Sequence, residues 1–503
     1  KIMKTTKNII LAVWLMLSVS ACADLNEKPI GVFAPETFFK TPKDVETAVL
    51  GAYGVIASEN LFGRQFICAL QFRGDMVDIG NRATSAERIQ VNDFNMDSNN
   101  GMVNKFWPQW FQAINAANSA EAGGMTLGLP DEEINPLIAE AKFIRAFAYY
   151  HLVRVFGDLP YINFAVTDPS SLKTVSKTSE AEIYAGIIAD LEFAKQWLPN
   201  THKNNIRTRP TAGTAAAYLA SVHLTLGDYQ EAYNEAKFVI DKKALFGYEL
   251  ETDFEDNFKG SIANTLKETI FAFDFLGQQN VGGNNDDSLV PMILVLNLTG
   301  GYGVSVPSMN VYDEWDDRDY RKKVSFIDTL TIDGVAHPYT DFSTQRPHIG
   351  KWARDFGNGN AIGRYSDHNF SDFRYAEVLL IAAEALGEIN GPNAEAAGYI
   401  NQVRARARNW SDGTVSDFPA DISADMNKTE FIDLVMEDRR LELAFEWKRW
   451  YDIKRRDMGA AVFTGPNSLE SHPNFDPSRD YLMPLPASEL RINPNLAPNN
   501  PGY

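Results

Sequence analysis

The chain has 503 residues, with 66 Asp and Glu against 47 Lys and Arg and a formal net charge of −19. That balance excludes a nucleic-acid backbone as the main partner, since such contacts depend on Lys and Arg neutralising phosphates, and it excludes electrostatic adhesion to an anionic membrane. Hydrophobic residues at 45% and aromatics at 12% supply a large core and exclude a disordered chain, and length alone suggests roughly three domains.

Lys4 and Lys7 precede an apolar run from Ile9 to Leu17, followed by Ser18-Val19-Ser20-Ala21 and then Cys22. A basic start, a short apolar stretch and small residues at a cleavage site are the layout of a secretory signal, and the run is too short for a spanning helix. Val19-Ser20-Ala21-Cys22 resembles a bacterial lipobox, which predicts a signal peptide over 1–21 and lipidation of Cys22. Several acyl chains anchor stably where one gives only marginal binding. Cys22 and Cys68 cannot form a disulfide framework, and Cys68, between Ile67 and Ala69, reads as a buried free thiol.

After a polar tether from Ala23 to Lys28, Thr41 as N-cap with Pro42 at the first helical position starts a helix. Val45, Val49, Ala52 and Ile56 then form one apolar stripe. A helix at 104–121 follows a polar loop. In the stretch 140–161, EAKFIRAFAYYHLVRVFGDLPY, Asn135-Pro136 can start a helix and Gly157 with Pro160 ends it. Ala141, Ile144, Ala148, Leu152 and Val155 make one stripe, and Phe143, Phe147 and Tyr150 a second. Two apolar faces predict packing on more than one side, as in a stack of helical pairs. The partner is expected at 180–198, where Ser179 and Glu182 have capping-box spacing. Residues 211–242 read as helix–turn–helix around Gly227-Asp228-Tyr229, with Ala232 and Ala236 four apart in the tetratricopeptide manner. A degenerate copy recurs at 372–408 around Asn390-Gly391-Pro392, and a last long helix is predicted over 428–447.

Between the pairs, residues 243–370 are rich in Gly, Asn, Asp and aromatics, with short β-like runs such as Thr269 to Phe275. Irregular insertions on a scaffold commonly carry binding. The expected organisation is a body over 22–503: helical scaffold at about 40–242 and 371–456, a binding lobe at about 243–370, and an extended C-terminal segment at 457–503.

The sequence contains no HExxH, GxSxG, Walker loop, CxxC pair or GxGxxG, and its seven histidines lack metal-ligand spacing. No catalytic residue, metal site or cofactor is therefore predicted. Asp93, Asn95, Asp97 and Asn99 alternate oxygens as a calcium loop does, but Gly101 falls at the ninth position and no Glu closes twelve residues; a polar loop is the better reading. The charged run from Glu437 to Glu446 reads as structural, through pairing within one helix.

Several separated stretches, in order, resemble the SusD/RagB family of surface nutrient-binding lipoproteins. They are Phe38-Phe39 with the helix to Ala52-Tyr53, 140–161, RPTAGTAAAYLASVHLTLGDYQEA (209–232), FRYAEVLLIAAEAL (373–386), INQVRARA (400–407), EDRRLELAFEWKRWYDIKRR (437–456) and LPASELRINPNLAPNNPGY (485–503). Pro498 stands where many members carry Gln. The resemblance implies a mainly α fold, with four tetratricopeptide-like helical pairs carrying an inserted irregular lobe. It also implies a non-catalytic glycan or oligosaccharide receptor, lipid-anchored on the outer membrane, that serves a SusC-like TonB-dependent transporter.

Sugars offer apolar C–H faces and hydroxyls, so exposed aromatics among Asn, Asp and Arg are sought. In the regions where the resemblance places ligand contacts, the candidates are Phe94, Asn95, Asn99 and Asn100 in one loop. In the lobe they are Asn284, Asn285, Asp286, Tyr302 and Trp315. Trp107 reads as core. Trp315 precedes Asp316-Asp317-Arg318, which resembles a structural Asp-x-Arg feature of the family. The competing readings are a helical-repeat protein that binds peptides or another protein, and a helical glycosidase.

Overall fold

The computed structural model describes residues 38–275, 289–359 and 366–503. Cys22 and the expected contacts Asn284, Asn285 and Asp286 lie outside them.

Helix α1, Pro42–Ile56, starts where its cap predicts: the Asp44 carboxylate accepts the Thr41 N–H at 2.8 Å, and Val45, Val49, Ala52 and Ile56 are buried. Helix α2 spans Gly101–Thr126 and α3 Asp131–Phe156. Both begin ahead of their prolines. In α3, Asp131, Glu132 and Glu133 fill the first turn, where carboxylates complement the helix dipole, and Pro136 is carried inside the helix. Both expected stripes of α3 are buried. The second packs Phe143 and Phe147 on Tyr218, Phe271 and Phe273 at ring distances of 5.1 to 5.9 Å.

Helices α4 (Glu180–Trp197), α5 (Ala212–Leu226), α6 (Tyr229–Asp241), α7 (Tyr375–Asn390), α8 (Ala394–Ala407) and α9 (Lys428–Glu442) complete the stack. Each helix from α1 to α8 packs on its successor, and α9 covers α7. The four pairs are therefore α1/α2, α3/α4, α5/α6 and α7/α8, the tetratricopeptide-like arrangement. Gly227 turns α5 into α6 at φ +79°, a backbone conformation that a Cβ penalises.

Strands are short: β1 Val77–Ile79, β2 Thr269–Phe273, β3 Ser305–Pro307, β4 Phe326–Ile327, β5 Thr329–Ile332, β6 Val335–Pro338, β7 His348–Ile349 and β8 Phe370–Arg374. Among the described residues they pair antiparallel as β1–β3, β2–β8, β4–β7 and β5–β6. The β2–β8 ladder, from Thr269↔Arg374 to Phe273↔Phe370, closes the neck of the lobe. α6 and α7 touch directly, so the helical stack continues past the insertion.

The predicted helix over 428–447 ends at Glu442, and a separate helix, Arg449–Arg455, follows. Phe445 and Trp447 take positive φ between them. The turn lets Trp447 stack on Trp352 at 5.6 Å and donate to Asp372 at 3.0 Å, and it points Glu446 inward. The charged run is structural: Arg440 pairs with Glu437 within the helix as expected, but most partners of the run come from other elements. Arg374 binds Glu446 at 2.8 Å, Glu442 at 2.9 Å and also Glu268; Arg406 shares Glu268 and Glu442, and Lys351 holds Glu446 at 2.7 Å. All are buried. Burial would raise the Glu442 carboxyl, but Arg406, Arg374 and Arg321 outweigh it and hold the group at about 2. Cys68 is buried, which pushes its thiol up to about 11.

Candidate functional site

The lobe meets the scaffold through the three-residue ladder β1–β3, extended by Gly80 N–H to Val304 O at 3.0 Å and Asn81 N–H to Gly303 O at 2.8 Å. Gly80 is required there, because a Cβ would lie 2.8 Å from the Gly303 carbonyl. This junction brings Tyr302 beside the 81–95 segment. The Asn81 side chain donates to the Tyr302 carbonyl at 3.3 Å, and its oxygen accepts from Ala83 N–H at 3.1 Å. Tyr302 is held from behind by its N–H on Pro291 O at 2.6 Å; the ring is partly exposed, and its hydroxyl has no partner among the described residues.

The segments joined here carry a polar rim. Arg82, half-exposed, pairs with Asp93; Asp78 accepts from Arg346 at 3.0 Å and from Asn92 at 3.0 Å. Asn95 is exposed next to Asp93, whose carbonyl accepts from Asn474 at 2.9 Å. Burial and then the neighbouring Asp78 raise the Glu470 carboxyl at the base of this rim. The junction thus carries one partly exposed aromatic ring on segments that also bear amides, guanidiniums and carboxylates.

Of the residues singled out from sequence, Tyr302 lies partly exposed at this junction, and Asn95 is exposed on the 81–95 segment. Asn99 is exposed farther along the same loop, its N–H on Asp97 at 2.7 Å, beside the C-terminal segment that Ser98 O joins at Ala487. Three expectations are corrected. Phe94 is fully buried at φ +52°, a left-handed conformation that turns its ring inward onto Phe463, His472 and Phe475 at 4.8 to 5.2 Å, with the Arg73 guanidinium over it at 4.6 Å. Asn100 is the N-cap of α2: its oxygen accepts from Met102 N–H at 3.0 Å, and its amide donates to Glu87 O and Gln90. Trp315 is buried edge-on to Phe326 at 5.4 Å, and its carbonyl accepts from Lys322. The following Asp-x-Arg pattern occurs twice: Asp316 with Arg318 is exposed, whereas Asp319 with Arg321 is buried and reaches Asp438 of α9.

Sequence reasoning did not connect Asn81, Arg82 and Arg346 with this junction, and it considered Asp93 only as part of a calcium-like loop. The strands near them are two or three residues long, too short for periodicity to register.

Comparison with known proteins places this architecture. The SusD family matches residues 303–503, and a family described as "Starch-binding associating with outer membrane" matches 33–224. A SusD-like protein P2 of Formosa agariphila is 47% identical, covering 97% of this chain and 98% of the relative. This chain belongs to the SusD-like family. A SusD homolog of Bacteroides thetaiotaomicron superposes with a TM-score of 0.79 at 19% identity, covering 93% of this chain and 98% of that one. A laminarin-binding SusD-like protein gives 0.75 at 22% identity, covering 92% and 100%. Both confirm the SusD fold. In this SusD-like chain the helical pairs form the rigid frame, and the Tyr302 face sits where the lobe joins it. Among the described residues no helix is long and apolar enough to cross a membrane, and no cluster of three metal-ligating side chains occurs.

Proposed function

We propose that this SusD-like protein is a non-catalytic surface receptor for oligosaccharides. It is anchored to the outer membrane through a lipid on Cys22 and delivers its ligand to a SusC-like TonB-dependent transporter. The observation that carries the reading is Tyr302, held by its backbone, with a hydroxyl unpartnered among the described residues, at the junction where Asn81 meets its carbonyl and where Arg82 and Arg346 pair on the joined segments, on a chain of this family. A pyranose stacks its C–H face on the ring while its hydroxyls bond the amides and charged groups. The rim charges are paired with one another, so they donate and accept without imposing a net charge on the ligand. The laminarin-binding neighbour and the starch-binding description of the N-terminal family support a glucan as the first ligand class to test. Release of the 1–21 leader and acylation of Cys22 would fit the polar tether that follows.

The test is calorimetric titration of the protein beginning at Ala23 with laminarin and starch oligosaccharides. The Tyr302→Ala variant is expected to lose at least about tenfold in affinity, the order of one lost aromatic stacking contact. Its melting temperature should remain that of the wild type. Unchanged affinity would remove Tyr302 from the site. Hydrolysis of the titrant would exclude the non-catalytic reading, and binding to peptides in place of glycans would overturn the ligand class. Lipid labelling that disappears in Cys22→Ala tests the anchor, and co-purification of the barrel tests the partner.

A further inference from the structure

A cavity of about 470 Å³ lies away from the Tyr302 face, between the first half of α2, the 160–175 connection and the C-terminal residues 489–496. Its floor is the ring pair Trp107 and Phe111, 5.0 Å apart, and its walls include Ile162, Leu172, Val175 and Leu496. The walls are tied together by hydrogen bonds between distant parts of the chain. Asn493 donates to Val175 O at 2.7 Å and Leu172 O at 3.2 Å, Asn495 donates to Thr174 O at 3.0 Å, and Asn118 holds Ile162 O at 2.8 Å. The cavity is therefore preformed, and its volume is in the usual range for a small-molecule site, about 300–1,000 Å³.

The lining is mainly apolar but contains one carboxylate. Glu489 is partly buried and has no side-chain hydrogen bond or ion pair among the described residues. Lys173, on the opposite wall, is exposed and forms no ion pair with it. Burial raises the Glu489 carboxyl, so the group gains most from a cation brought in with the ligand. An anionic ligand would add a second negative charge to an apolar enclosure, and a neutral one can hydrogen-bond the carboxylate but leaves its charge uncompensated. The two rings at the floor suit a flat body and add cation–π attraction for a nearby ammonium.

We propose that this cavity binds small amphipathic cations, a flat apolar body carrying a protonated amine, with the amine on Glu489 and the body on Trp107 and Phe111. The site is independent of the glycan reading.

Three indole probes of nearly equal shape test it: tryptamine, the neutral tryptophol and the anionic indole-3-acetate, titrated by calorimetry into the protein beginning at Ala23. Tryptamine is expected to bind one site at least about tenfold more tightly than either isostere, the order of one charge-assisted hydrogen bond. Glu489→Gln should bring tryptamine down to the tryptophol level. Leu172→Trp, placed on a partly exposed turn, should fill the cavity and remove tryptamine binding with the melting temperature kept. Absence of saturable binding by all three probes overturns the proposal, as do equal affinities or tryptamine binding that survives both variants. Displacement of tryptamine by a laminarin oligosaccharide would overturn it in favour of a sugar subsite. Loss of the transporter in Leu172→Trp, with no amine bound by the wild type, would overturn it in favour of partner docking.

Discussion

Replacing Arg374 by Met should show how strongly the neck of the lobe depends on buried charge. The cluster holds five cations, Arg321, Lys351, Arg374, Arg404 and Arg406, against five carboxylates, Asp319, Asp438, Glu268, Glu442 and Glu446. Methionine fills similar volume but leaves one uncompensated negative charge in the interior, a change that typically costs about 3–5 kcal/mol. Each carboxylate keeps one cation, Arg406 for Glu268 and Glu442 and Lys351 for Glu446, which favours the lower end of that range. With an unfolding entropy of about 2.1 cal/mol/K per residue, roughly 1 kcal/mol/K for a body of this size, the loss is about 3–5 °C in melting temperature. Calorimetry at pH 8 and pH 5 is the assay. In the variant a folded-state carboxyl titrates above its unfolded value, so the folded form takes up a proton first and the deficit should shrink at pH 5. The exposed pair variant Arg318→Ala is the control and should melt as the wild type does. A Met variant within 1 °C of wild type at both pH values would refute the argument.

Phe94→Ala should destabilise by about 3–5 kcal/mol, because the ring fills a site walled by Phe463 and Phe475; glycan affinity of the folded fraction should be unchanged, read by titration. Asn100→Ala removes the α2 cap and should cost about 1 kcal/mol, read by urea unfolding, again with binding kept. His348 and His368 are buried and held at about 4, so the stability they contribute is present above their unfolded value near 6.5 and is lost as pH falls from there through 4. Glu442 and Asp372, both held at about 2, extend that loss from about pH 4.5 downward. Melting temperature measured from pH 7.5 to 3 should therefore decline steadily from about pH 6.5, and a flat profile down to pH 4 would contradict the histidine assignment.

The helical pairs were legible because periodicity and caps are local. Thr41-Pro42, Ser179 with Glu182 and Gly227 mark their helix boundaries within a few residues of the structure. The site was less legible because its determinants are not local. Phe94 sits among Asp93, Asn95 and Asp97, which reads as an exposed loop; its burial is decided by rings more than 350 positions later in the chain. Trp315 is taken into the core against Phe326, which itself packs on Phe445, whereas Tyr302 stays partly exposed with its backbone held by Pro291 and Asn81. The break after Glu442 was hidden by strong helix-forming residues; the inward demand of Glu446 and Trp447 overrides their propensity.

The antiparallel pairing of Thr269–Phe273 with Phe370–Arg374 has a consequence for how such folds diversify. A long insertion whose two ends leave side by side from one ladder presents the frame below with two anchor points at a fixed spacing, whatever lies between them. Length changes inside it add only slowly to the entropy of closing the loop. The helices on either side, already in contact with each other, are spared any change of geometry. The neck thus acts as a socket: the interior of the insertion can change in length or content while the stack keeps its geometry.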